Sequence, residues 1–166
     1  MVSVGLIPEI ELAQGLGVEL GGHTGGPVCD AQLMTKVPGI VSCGNALHVN
    51  DLVDFVSESG EEAGRNAAAY CGKAQNRVNI NIGNEFLYLV PQQLDLNADN
   101  TKTVFYFRSK KVTDKSTLRL KVNGEEVWKK TYTFLRPPEM QQLTLDMSKY
   151  GIDEKSDVRF EIEVVK

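Results

Sequence analysis

From Arg77 onward the sequence has the periodicity of strands, and no helical run interrupts it. Val78, Ile80 and Ile82 alternate with Arg77, Asn79 and Asn81, a period of two that sends apolar side chains to one face of a strand. Further runs at residues 86–90, 102–108, 117–122, 126–134, 141–147 and 158–165 complete a set of seven strands. Asn123-Gly124 separates two of them. Both residues accept positive φ, so the pair predicts a tight hairpin. Pro91 predicts a strand end or an edge. Leu118, Leu120 and Val122 fall on one face, as do Leu143 and Leu145, and Phe160, Ile162 and Val164. Amphipathic strands with turn signals roughly every ten residues predict a two-sheet antiparallel sandwich of the immunoglobulin-like class. There is no Cys–Trp–Cys framework, so the likeness is one of architecture. Trp128, the one tryptophan, reads as a core or hairpin-packing residue, with a binding anchor as the other reading.

The residues before this region follow another pattern. Leu52, Val53, Val56, Gly60, Ala63, Gly64, Ala67 and Ala68 recur at three- and four-residue spacing, which predicts a helix over residues 52–70 with a small-residue face. Asp54, Glu58, Glu61 and Glu62 read as its solvated side. A short apolar run at 39–43 predicts a buried strand ending in the turn Gly44-Asn45. Asp51 reads as the helix cap; the other reading gives it and His48 a part in proton chemistry. Nearer the N-terminus, residues 2–7 predict a strand. Residues 9–16 predict a short helix with Ile10, Leu12, Ala13 and Leu16 on one side. The glycines of Gly21-Gly22-His23-Thr24-Gly25-Gly26 suit positive φ in turns, and His23 among them reads as solvated.

The expected class is therefore α+β, with residues 1–75 and 76–166 as two domains joined near 72–76. Charge supports the division. Residues 1–75 carry nine acids against three bases, and residues 76–166 carry thirteen acids against fifteen. The overall −4 argues against general nucleic-acid binding. Lysines in the strand region read as edge protection. No apolar run approaches the ~20 residues of a bilayer span. The N-terminus has no basic or cleavable signal pattern, so the expected location is cytoplasmic, away from membranes. Cys29, Cys43 and Cys71 have neither disulfide-framework nor zinc spacing, and no metal is expected.

The stretch Thr35, Pro38, Gly39, Ile40, Gly44, followed by a loop and an Ala/Gly-rich helix, resembles the flavin-binding segment near the C-terminal end of the FAD-dependent pyridine nucleotide-disulfide oxidoreductases, the thioredoxin reductase-like group. The likeness extends upstream to about Val4, through the Pro8 and Glu9–Glu19 region, and stops near Tyr70. It implies FAD as cofactor and NAD(P)H as co-substrate. It assigns Gly44 to close backbone approach, Asn45 to a ribityl hydrogen bond, and Asp51, Leu52 and Val53 to the helix start facing the flavin pyrimidine. The family writes Asp where Asn45 stands, so one acceptor oxygen is kept and the charge is lost. The family's GxGxxG pyrophosphate turns and its redox dithiol are not in these residues. Met1 thus reads as the start of a fragment: an excised piece, a truncated reading frame or a separately encoded half. Such a chain is expected to be inactive alone, to pair with the missing N-terminal FAD and NAD(P) domains, and to form homo-oligomers through exposed apolar surface. The alternative is a non-enzymatic interaction module with a vestigial flavin segment.

Overall fold

The computed structural model describes residues 7–164. The chain divides into two compact units between Lys73 and Ala74.

The first unit is built from short pieces: α1 (Glu11–Gly15), α2 (Gly44–Leu47) and α3 (Val53–Ala69), joined by loops that meet in single bridges. The bridges are Leu20 with Pro27, Cys29 with Thr35, and Met34 with Val41. Val18, Val28, Cys29, Leu33, Met34, Leu47 and Ala63 are buried. The expected strand at 39–43 does not form; Val41 contributes one bridge. Two turns confine it. Val37-Pro38-Gly39-Ile40 closes with Ile40 N–H donating to Val37 O, and Gly39 has φ +81, as a type II turn requires at its third residue. Gly44, at φ +58, then turns the chain into α2.

Apart from Ile7, the expected strand at 2–7 lies outside the described residues. The expected apolar side of α1 is not buried. Leu12 is 87% exposed and Leu16 60% exposed, because α1 is only five residues long and Gly17, at φ +71, ends it. Of the six loop residues from Gly21 to Gly26, only Gly25 has positive φ.

The second unit holds eight strands in two sheets. They are β1 (Arg77–Ile82), β2 (Phe86–Val90), β3 (Gln93–Asp95), β4 (Thr103–Ser109), β5 (Ser116–Val122), β6 (Glu125–Tyr132), β7 (Gln141–Leu145) and β8 (Val158–Val164). One sheet has the order β3-β1-β8-β5-β6 and the other β2-β4-β7. The sequence-based count of seven lacked β3, where a lone Leu94 between Gln93 and Asp95 leaves no alternation to read. The expectation of wholly antiparallel sheets also needs correction. β1 runs parallel to β8, with Ile80, Asn81 and Ile82 opposite Val158, Arg159 and Phe160.

The faces fall as period two requires. Leu118, Leu120, Val122, Leu143, Leu145, Phe160 and Ile162 are buried, whereas Val164, near the end of β8, is half exposed. Phe105 of β4 meets Phe160 of β8 at 5.0 Å between ring centroids, and both are fully buried. This contact joins the two sheets. Asn123 and Gly124 take φ +54 and +84 and close the β5–β6 hairpin, as a type I′ turn does. Trp128 is half-buried on β6 opposite Leu120, the hairpin-packing place expected of it. Phe134, counted as strand, lies beyond the end of β6 and is 55% exposed.

Tyr132 supplies a pH marker for this unit. Its ring stands edge-on to Phe107 at 5.9 Å, and its buried hydroxyl has no hydrogen-bond partner among the described residues. Burial disfavours the phenolate and pushes the group from 10.0 up to about 12. The unfolded chain releases this proton near pH 10 and the native state does not. The Tyr132 contribution is therefore fully present below pH 10 and is lost as pH rises towards 12. Burial also raises Tyr150, so phenolate absorbance should show a titration near pH 12 that Tyr132→Phe removes, and that variant should be less sensitive to this pH window.

Candidate functional site

The site residues read from the sequence lie on α2, the loop after it, and the first turn of α3. Gly44 opens α2 and is buried. Its N–H donates to Ser59 Oγ at 2.9 Å, and Ser59 Oγ donates to Val56 O at 2.9 Å. Ser59, 6% exposed, thus ties the turn to the middle of α3. A Cβ on Gly44 would stand 3.1 Å from Val56 Cγ1. The close approach at Gly44 is therefore to α3 of its own unit, and the positive φ is a second reason for glycine. Ser59→Ala would leave a buried N–H unpaired. It is expected to cost about 1–3 kcal/mol, read as a lower urea midpoint of the helical signal.

Thr35, Pro38 and Gly39 also have local roles. The Thr35 hydroxyl accepts from Val37 N–H at 3.2 Å and donates to Val37 O at 3.1 Å. Gly39 carries the turn, with the Tyr70 ring 3.4 Å from where its Cβ would be. The Val37–Ile40 turn accounts for Pro38 and Gly39, and the Thr35 hydroxyl fastens its start.

Asn45, Leu52 and Val53 are different. Asn45 is exposed. Its Oδ1 accepts from Asn50 N–H at 3.0 Å and Asn50 Nδ2 at 3.4 Å, and Asn50 Nδ2 also reaches His48 O at 2.9 Å. These bonds hold the loop between α2 and α3 against the start of α2. Asp51 is exposed but is not the N-cap. That position belongs to Leu52, in extended backbone at φ −125 and ψ 140, with no side-chain cap bond. The helix begins one residue later than the apolar pattern predicts, which moves Asp51 out of the cap. Leu52 is 54% and Val53 78% exposed. His48, expected to face this loop, is only 2% exposed and belongs to the interior.

The inward stripe of α3 is made of the buried Ser59 and Ala63 with the half-buried Val56 and Asn66, and continues to the half-buried Tyr70 at its C-cap. It includes two polar residues that a hydrophobic count passes over. Asn66 Nδ2 donates to Gln32 O at 2.9 Å and so fastens α3 to the loop between Cys29 and Thr35. Gly60, Gly64, Ala67 and Ala68 of the predicted small-residue face are exposed.

What this arrangement offers a ligand is limited and definite. The N-cap of α3, Leu52, makes no side-chain cap bond, and it and Val53 are exposed, followed along the helix by exposed small residues. The sequence holds no glycine pattern for a pyrophosphate. No disulfide links the three cysteines, and among the described residues no group of three or more His, Cys, Asp or Glu could hold a metal. No helix among them is long and apolar enough to cross a membrane. In comparison with known proteins, the chain matches no family model, no curated protein and no solved structure.

Proposed function

We propose that the chain is the C-terminal portion of an FAD-dependent NAD(P)H oxidoreductase of the pyridine nucleotide-disulfide type. Its first unit is then one wall of the flavin site and its second an appended immunoglobulin-like sandwich. One observation carries this reading. Of the five positions that the resemblance assigns to the flavin, Asn45, Asp51, Leu52 and Val53 are exposed side by side, whereas Gly44 is buried against α3.

In this reading Asn45 offers its carboxamide to the ribityl chain, and Gly44 sets the turn that presents it. The start of α3, at Leu52 and Val53, faces the pyrimidine edge, where helix N–H groups favour developing negative charge. The bound FAD supplies hydride acceptance from NAD(P)H and onward electron transfer. The exposed small-residue face of α3 receives the N-terminal FAD and NAD(P) domains, or a second copy of the chain in their absence. The reading includes a cytoplasmic location and no turnover by this chain alone. The exposed apolar residues also fit an interaction module, which the same experiment distinguishes.

The coding DNA upstream of the Met1 codon should contain a segment with GxGxxG. Co-expressed with the chain, that segment should give yellow protein with flavin absorbance, and the chain alone should be colourless. Asn45→Ala in the reconstituted protein should weaken flavin retention roughly five- to tenfold, the value of one hydrogen bond. Absence of any such segment, or a colourless reconstituted protein, favours the interaction module.

A further inference from the structure

β6 lies at the end of the five-stranded sheet and has one strand neighbour, β5. Its outer backbone edge is a template for another strand. Its sequence from Glu125 to Lys130 is Glu-Glu-Val-Trp-Lys-Lys, with acids before two large residues and bases after them. An antiparallel copy of the strand would bring the acids of one chain to the bases of the other.

The condition for such pairing is stricter than charge alone. A two-fold axis that extends a sheet runs perpendicular to it, so each residue must meet one from the same face. In an unbroken strand Glu126 and Lys129 point to opposite faces. Here a bulge changes that. Arg119 stands opposite Lys129 and Leu120 opposite Trp128, but Lys121 stands opposite Glu126, so Val127 has no counterpart on β5. The extra residue shifts the alternation by one. Glu126 and Lys129 therefore share a face, and their side chains meet at 3.1 Å. Glu125, opposite Val122, and Lys130, opposite Leu118, share the other face.

We propose that β6 is a self-complementary edge through which two copies of this chain pair antiparallel, about a two-fold axis between Val127 and Trp128. Glu126 then faces Lys129 of the second copy, and Glu125 faces Lys130 of the second copy, each pairing occurring twice. Val127 of each copy, half-buried, then faces the half-buried Trp128 of the other at the centre. Charge restricts the alternatives, since an in-register parallel copy would set acid on acid and base on base. The lysines that protect this edge from indiscriminate strand addition also select this one partner. β6 belongs to the second unit, and the proposal does not depend on the flavin reading.

Sedimentation of the full chain tests it. At about 100 µM protein and about 50 mM salt the unaltered chain should contain dimer that higher salt dissociates. The double variants K129E/K130E and E125K/E126K should each weaken self-association by about a hundredfold, and an equimolar mixture of the two should restore a dimer. A monomeric unaltered chain, undiminished dimer in either double variant, or a monomeric mixture each overturns the proposal. Should a variant fail a circular dichroism check of folding, carbodiimide cross-linking of mixed light and isotope-labelled unaltered chains decides. Links from Glu125 and Glu126 to Lys129 and Lys130 between differently labelled copies are expected, and their absence also overturns it.

Discussion

Gly26→Ala is expected to unfold the first unit, or to lower its stability by about 3–4 kcal/mol, and to leave the second unit's transition unchanged. Gly26 does not occupy the positive-φ region, so the cause is space alone. A Cβ there would stand 1.9 Å from Leu47 O, 2.6 Å from Leu47 C and 2.8 Å from Ala46 O. These are backbone atoms at the end of α2, which no rotamer change can move aside. The loop carrying Gly26 is held from both sides: Gly21 N–H donates to Gly26 O, and Val28 N–H donates to Glu19 O. Either that loop or α2 must shift, and α2 carries Gly44 and Asn45. The two units have separate reporters. Far-UV circular dichroism follows α3, and fluorescence follows Trp128, the one tryptophan. The helical transition should move and the Trp128 transition should not. An unmoved helical transition would mean that the close approach does not exist in solution.

Phe160→Ala should do the converse. Phe160 is fully buried on β8, with Leu120 of β5 beside it and Trp128 of β6 beyond Leu120. Across the core lies the fully buried Phe105 of the other sheet, 5.0 Å away and tilted by 59°. Removing the ring empties the contact that joins the sheets, and little can collapse into the space between fixed strands. Truncation of a buried phenylalanine costs about 3–5 kcal/mol, a large share of the roughly 5–15 kcal/mol that holds a domain together. The Trp128 transition should fall to a much lower urea midpoint, with the helical signal of α3 keeping its own. Conservative Phe160→Leu should recover most of the loss, since it restores apolar volume. A loss under about 1 kcal/mol would place the second unit's core elsewhere.

The candidate site was legible only in part. Gly44, Asn45 and the helix start could be named because turn chemistry and helical spacing are local signals. Ser59 could not. A serine inside a helix carries no mark that its hydroxyl accepts a backbone N–H fifteen residues earlier. Asp51 was misplaced as a cap because its preference for that position is statistical, and the observed N-cap, Leu52, uses no side chain at all. Gly26 was visible as glycine, but the turn chemistry that explains Gly25 does not explain it.

In the second unit, alternation every two residues marked the strands, and Asn123-Gly124 marked the hairpin that closes β5 onto β6. These follow from the geometry of an extended backbone and from which residues tolerate positive φ, so a short window of sequence contains them. Pairing across a long separation is another matter. Val158 and Ile80 are adjacent in parallel strands, yet neither side chain differs from what an antiparallel neighbour would accept. Parallel or antiparallel, seven strands or eight, the choice lies in pairings between residues far apart in the chain, such as Ile80 with Val158 and Val78 with Leu94. The bulge that brings Glu126 and Lys129 to one face likewise comes from β6 fitting against β5, because alternation within β6 alone would set them on opposite sides.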